Sequence, residues 1–141
     1  MKIDSAPQLN TTELEQKVKN MYREVALHPH EKYHFEMGRS LAEKLGYDPK
    51  QLDQVPQAAI ESFAGVGFFF DYSAIREGEK VLDLGSGSGM DSFLAALRVG
   101  KTGAVVGLDM TDEQLQKAEQ LRDEYGFTNV SFQKGYIETL P

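Results

Sequence analysis

The 141-residue chain has no cysteine and no tryptophan. The missing thiols exclude a disulfide framework, a thiolate metal site and a cysteine nucleophile within these residues. Basic charge is also scarce: 15 Lys and Arg stand against 22 Asp and Glu, a formal net charge of −7. The deficit is even, with 8 basic and 11 acidic residues up to Ile75 and 7 against 11 after it. Neutralising a nucleic-acid backbone needs clustered Lys and Arg, so broad phosphate-backbone binding is not expected, and no basic tail hides in the average. Apolar runs extend only a few residues, far short of the about 18 needed to cross a bilayer. The opening Met1-Lys2-Ile3-Asp4-Ser5-Ala6-Pro7 has no apolar core of signal-peptide length. These absences lead to the expectation of a cytoplasmic protein with no membrane or nucleic-acid partner. The length is enough for one domain with a buried core.

What the sequence does contain falls into two parts. Residues 1–75 read as small helices with irregular joints, a helical cap. From Thr11, the apolar residues Leu14, Val18, Met21, Tyr22 and Val25 share one helical face, and His28-Pro29 ends the pattern because proline disfavours α geometry in the residue before it. A short helix near Arg39–Leu45 is closed by Gly46, and Asp48-Pro49 is a cap with a first-turn proline. Gln57–Ala64 predicts one more helix, ending at Gly65. Residues 76–141 have a different grammar. Lys80–Leu84 is a short apolar strand, Asp91–Val99 a helix with Phe93, Leu94 and Leu97 on its apolar side, and Ala104–Asp109 a second buried-type strand. Thr111–Tyr125 is a helix with a stripe of Leu115, Ala118 and Leu121, a capping box of Thr111 with Gln114, and a terminal Gly126; Asn129–Gln133 is a third strand. Strand, helix, strand, helix, strand with short joints predicts an α/β, Rossmann-like parallel sheet.

Ligands of such sheets bind at the carboxyl ends of the strands. That places Gly85-Ser86-Gly87-Ser88-Gly89, Asp109 and the Gln133–Glu138 segment on one rim. The glycines are spaced G-x-G-x-G, not in the dinucleotide pattern G-x-G-x-x-G, and Asp83 stands two residues before the first of them. A carboxylate there repels a pyrophosphate. It attracts the cationic ammonium and sulfonium of S-adenosylmethionine, while the glycines let the backbone approach a ligand closely. Asp109 has two oxygens suited to two ribose hydroxyls, and Met110 stands ready for an adenine face.

The stretch Val81-Leu82-Asp83-Leu84-Gly85-Ser86-Gly87-Ser88-Gly89 resembles motif I of class I S-adenosylmethionine-dependent methyltransferases. Gly107-Leu108-Asp109-Met110-Thr111 resembles the acidic-strand motif that follows it, and Asn129–Glu138 is similar to the third-strand region of the arsenite methyltransferase-like subgroup. The resemblance runs from about Glu79 to Pro141, with a weaker likeness in Tyr22-Arg23-Glu24-Val25-Ala26. It implies that Asp83, Gly85, Ser86, Gly87 and Gly89 surround the methionine part of the cofactor. Asp109 and Met110 would then hold ribose and adenine, with Tyr136, Ile137 and Glu138 along the adenine edge. It also implies a seven-stranded fold whose first strand is central, so that these residues would form the cap and cofactor-binding half of a longer enzyme. The first strand would then present an unpaired edge open to homo-oligomer formation. One departure bears on substrate. Arsenite methyltransferases bind arsenic through thiolates, whereas the segment before motif I reads Ser62-Phe63-Ala64-Gly65-Val66-Gly67. Arsenic chemistry is therefore not predicted, and the acceptor is an unidentified small molecule.

Other features have plainer readings. His28, His30 and His34 suggest a metal site, but Pro29 breaks their geometry and no cysteine completes a set, so a polar loop at the site's mouth is preferred and no metal is expected. His34 or Tyr33 remains available for a substrate proton, though no general base is identified. Phe68-Phe69-Phe70 with Phe63 and Tyr72 is either core packing between cap and sheet or a lid that keeps water from the reacting methyl. The rival functions are an NAD-type nucleotide-binding module and a non-catalytic fragment that only binds S-adenosylmethionine.

Overall fold

The computed structural model describes residues 11–29, 37–63 and 74–136. His30, Tyr33, His34, Phe68–Phe70, Tyr72, Ile137 and Glu138 lie outside the described residues.

The region expected as a cap holds α1 (Thr11–Leu27), α2 (Arg39–Leu45), α3 (Pro49–Leu52) and α4 (Gln57–Glu61). The second part alternates β1 (Lys80–Leu84), α5 (Met90–Val99), β2 (Ala104–Asp109), α6 (Asp112–Tyr125) and β3 (Val130–Lys134). None of the described helices is long and apolar enough to cross a membrane.

α1 ends just ahead of His28-Pro29, as proline requires. Of its expected apolar face, Met21 is exposed, and the side chains of Leu14, Val18, Tyr22 and Val25 lie outside the description. α2 is closed by Gly46, left-handed at φ 114°, and the Asp48 side chain caps α3 by accepting from the Lys50 amide at 2.9 Å. The expected helix over Gln57–Ala64 is shorter, stopping at Glu61. Partners from elsewhere take over there: Lys117 Nζ donates to the Ser62 hydroxyl, and the Phe63 carbonyl accepts from the Gly38 amide at 2.7 Å.

The three strands are parallel in the order β1-β2-β3. The register sets Val81 beside Val105 and Val105 beside Val130; one step on, Asp83 pairs with Gly107 and Gly107 with Phe132. This set of positions faces α5 and α6, which pack against the strands. Phe93, Leu94, Ala96 and Val99 of α5 and Leu115, Ala118 and Leu121 of α6 are buried there, as the stripes predicted, except that Leu97 points outward and is 40 % exposed. Leu97 follows Phe93 by four residues, yet the buried face has turned to Ala95, Ala96 and Val99. The cluster is continuous with Ala42, Tyr47, Leu52, Val55, Ala59 and Ile60 of the cap, so cap and sheet share one hydrophobic core.

On the other face Leu82 and Leu84 are 53 % and 44 % exposed while Leu108 is buried, and among the described residues β1 has a neighbour on one side only. α1 lies on α6, tied by an Arg23–Glu113 ion pair at 2.9 Å and by Lys117, which reaches the Ala26 carbonyl at 3.3 Å.

Candidate functional site

The loop between β1 and α5 is built around its glycines. Gly85, Gly87 and Gly89 take φ values of 71°, 56° and 101°, a region where a side chain is strained. At Gly89 space is also refused: a Cβ would lie 2.8 Å from Phe93 Cε2 and 3.0 Å from Phe132 Cζ. The loop is thereby drawn down onto the core, and the Gly85 and Ser86 amides both donate to the Leu108 carbonyl, at 2.7 and 2.9 Å. The Gly87 amide donates to Asp109 Oδ1 at 3.3 Å, which joins the loop to the end of β2. Asp109 Oδ2 accepts from the Thr111 amide at 3.1 Å. The Gly135 amide donates to the Asp109 carbonyl at 3.0 Å and brings Tyr136 to the same rim. Thus Gly85, Ser86, Gly87, Asp109 and Tyr136 converge as the sequence suggested, with Met110 partly buried at the bend after β2. The Tyr136 hydroxyl accepts from Lys19 Nζ, which also lies 4.8 Å from its ring centre, so α1 reaches this rim.

Asp83 is set beneath the loop. Its Oδ2 accepts from the Ser92 hydroxyl at 2.6 Å. Burial pushes its carboxyl up to about 6; the Ser92 bond opposes this, while the negative charges of Asp91 and Asp109 add to it. Asp91 and Asp109 are raised as well, in each case by burial above all, against the bond from Tyr47 to Asp91 and the amide bonds to Asp109. Three desolvated carboxylates therefore stand around one glycine loop.

Between this loop and α4 lies a cavity of about 130 Å³, walled by Ser86, Gly87, Asp91, Gln114, Ser62 and Phe63 among others. Among the described residues the buried Ser86 hydroxyl has no hydrogen-bond partner. Two of these walls were not legible as site residues. Gln114 was expected to cap α6 with Thr111; no side-chain cap bond forms, and Gln114 instead accepts from the buried Ser88 hydroxyl. Asp91 was expected only as the first residue of a helix, and it accepts at 2.5 Å from the hydroxyl of Tyr47, a residue assigned no role from the sequence. The only signal for Asp91 was its place two residues after Gly89.

S-adenosylmethionine fits these groups. Its net positive charge offsets the desolvation of the three carboxylates, its polar tail offers partners to the orphaned Ser86 hydroxyl, and the bare glycine backbone leaves room for close approach.

Comparison with known proteins agrees. Residues 75–141 match the family described as methyltransferase domain. An arsenite methyltransferase of Halobacterium salinarum is 43 % identical over 100 residues, covering 71 % of this chain and 25 % of that protein. One from Aquipseudomonas alcaligenes is 52 % identical over 93 residues, covering 63 % of this chain and 26 % of that protein. The chain thus spans about a quarter of the length of the curated relatives it matches. Among solved structures, an arsenic(III) S-adenosylmethionine methyltransferase from Chlamydomonas reinhardtii is 41 % identical with a TM-score of 0.54, over 63 % of this chain and 31 % of that one. Residues 75–141 thus carry a methyltransferase domain, similar to that of an S-adenosylmethionine-dependent enzyme.

Proposed function

We propose that this chain binds S-adenosylmethionine as the cofactor-holding part of a methyltransferase for a small-molecule acceptor, in a cytoplasmic setting. In this reading residues 1–75 are the cap and residues 76–141 the cofactor-binding half-domain. The observation that carries it is the convergence of Asp83, Asp91 and Asp109 on the glycine loop, each carboxyl raised by burial. Such a group of acids favours a cationic ligand and repels the pyrophosphate of a dinucleotide.

Asp109 would take the ribose. Each of its oxygens already accepts one backbone amide, which fixes the carboxylate, and each keeps a lone pair for a hydroxyl. The Ser86 hydroxyl would hold the amino-acid end, Met110 and Tyr136 the adenine side, continued by Ile137 and Glu138. When bound, S-adenosylmethionine supplies an electrophilic methyl group for in-line attack by a nucleophile. The contribution of the described residues is position and electrostatics.

The relatives' names give arsenite as their acceptor. The 141 residues hold no thiolate for arsenic, so we keep the acceptor as a small molecule without adopting that one. We further propose that the open β1 edge, with Leu82 and Leu84 exposed beside it, pairs with a second copy of the chain.

Amide NMR shifts test the cofactor assignment. Titration with S-adenosylmethionine should move resonances of residues 85–89, 109–111 and 135–136 before others. A folded protein whose loop resonances stay fixed at saturating ligand rejects it.

A further inference from the structure

The cap's Tyr47 has a fixed ring and a directed hydroxyl. It follows the Gly46 turn, its amide donates to the Ala42 carbonyl at 3.1 Å, and its ring meets Phe63 edge-on with centres 5.4 Å apart. The side chain is 3 % exposed. A buried phenol needs a partner, and this one reaches across from the cap to α5, where it donates to Asp91 Oδ1 at 2.5 Å. The other oxygen of Asp91 has no hydrogen-bond partner among the described residues. Asp91 and the buried, unpartnered Ser86 hydroxyl wall the same cavity. One wall thus offers an acceptor with negative charge, and beside it stand a hydroxyl and the backbone of a glycine loop. That pairing suits the two ends of an α-amino acid, an ammonium on Asp91 and a carboxylate against the Ser86 hydroxyl.

We propose that Tyr47 is a positioning residue that turns Asp91 into the cavity to receive the ammonium of the cofactor's amino-acid tail, making the cap part of the cofactor site. The proposal rests on the cofactor reading above and goes beyond it by assigning the ammonium to Asp91 and its orientation to the cap. Asp83, already bonded to Ser92, then acts through its field. Without the Tyr47 bond, Asp91 is free to swing and loses the one contact that opposes the effect of burial on its charge.

Two neutral thioethers separate this from a loss of packing. S-adenosylhomocysteine carries the amino-acid tail, and 5′-methylthioadenosine has the same nucleoside without it. Calorimetry on the 141-residue chain should show that Tyr47→Phe, which keeps the ring, weakens S-adenosylhomocysteine about tenfold, the scale of one hydrogen bond to a charged group. Binding of 5′-methylthioadenosine should not change. Asp91→Asn should give the same split with at least as large a loss, and it carries the test if Tyr47→Phe fails to fold by circular dichroism. Equal weakening of both ligands, or of neither, overturns the proposal while leaving the cofactor reading intact. A wild-type chain that binds neither ligand overturns the cofactor reading, and the proposal with it.

Discussion

Replacing Asp83 by asparagine should stabilise the ligand-free chain near neutral pH. The side chain accepts a 2.6 Å bond from Ser92, which an amide oxygen can also accept, and it lies beneath the loop with Asp91 and Asp109 nearby. In the folded chain its carboxyl titrates at about 6 against an ordinary 3.8. The folded state therefore holds the proton more tightly than the unfolded chain does. Stability from this group is fully present below the ordinary value and is lost as pH rises through about 6. The difference corresponds to about 3 kcal/mol at full ionisation, of which about half is regained by pH 5. Asparagine carries no charge to desolvate, so Asp83→Asn should raise the unfolding free energy at about pH 7.5 by an amount on the order of 2–3 kcal/mol. At about pH 5 the gain should be smaller by roughly half. Urea unfolding followed by far-UV circular dichroism at the two pH values measures it, and the difference between wild type and variant cancels the titrating groups that do not interact with Asp83. A variant no more stable than wild type near neutrality, or a gain that does not shrink in acid, would refute the argument. A site residue whose removal stabilises the fold is what a ligand-directed charge predicts.

Three other outcomes follow from the same structure. Asp109→Ala removes the acceptor for the Gly87 and Thr111 amides and should weaken S-adenosylmethionine binding by about 1–3 kcal/mol, measured by calorimetry; unchanged affinity would remove Asp109 from the site. Gly89→Ala forces a Cβ into Phe93 and Phe132 at φ 101° and should cost about 2 kcal/mol or more in thermal or urea unfolding, whereas a neutral result would mean that the loop is not pressed onto the core. If β1 pairs between copies, sedimentation equilibrium should show concentration-dependent association that Leu82→Lys abolishes; a monomer at all concentrations counts against that pairing.

The α/β half was legible because its signals are local. A short apolar strand between charges and glycines, or Leu115, Ala118 and Leu121 at helical spacing, needs no distant partner to be recognised. The site residues read from the sequence share that property, since a glycine loop and an acidic strand end are contiguous motifs. What was misread depends on contacts from far along the chain. The end of α4 follows from Lys117, 55 positions beyond Ser62, reaching its hydroxyl. Gln114 left its expected cap for Ser88, 26 positions earlier. Asp91 and Tyr47 are 44 positions apart, and each alone has an ordinary local explanation. The exposed side of β1 was foreseen only as an unpaired edge; Leu82 and Leu84 add an apolar surface beside it.

The central claim is that the acidic glycine-loop rim selects a cationic nucleoside ligand. Isothermal titration of the 141-residue chain with S-adenosylmethionine and, separately, with NADH tests it most directly. The account predicts saturable binding of one S-adenosylmethionine per chain and no binding of NADH. Saturable NADH binding, with S-adenosylmethionine inert, would contradict it.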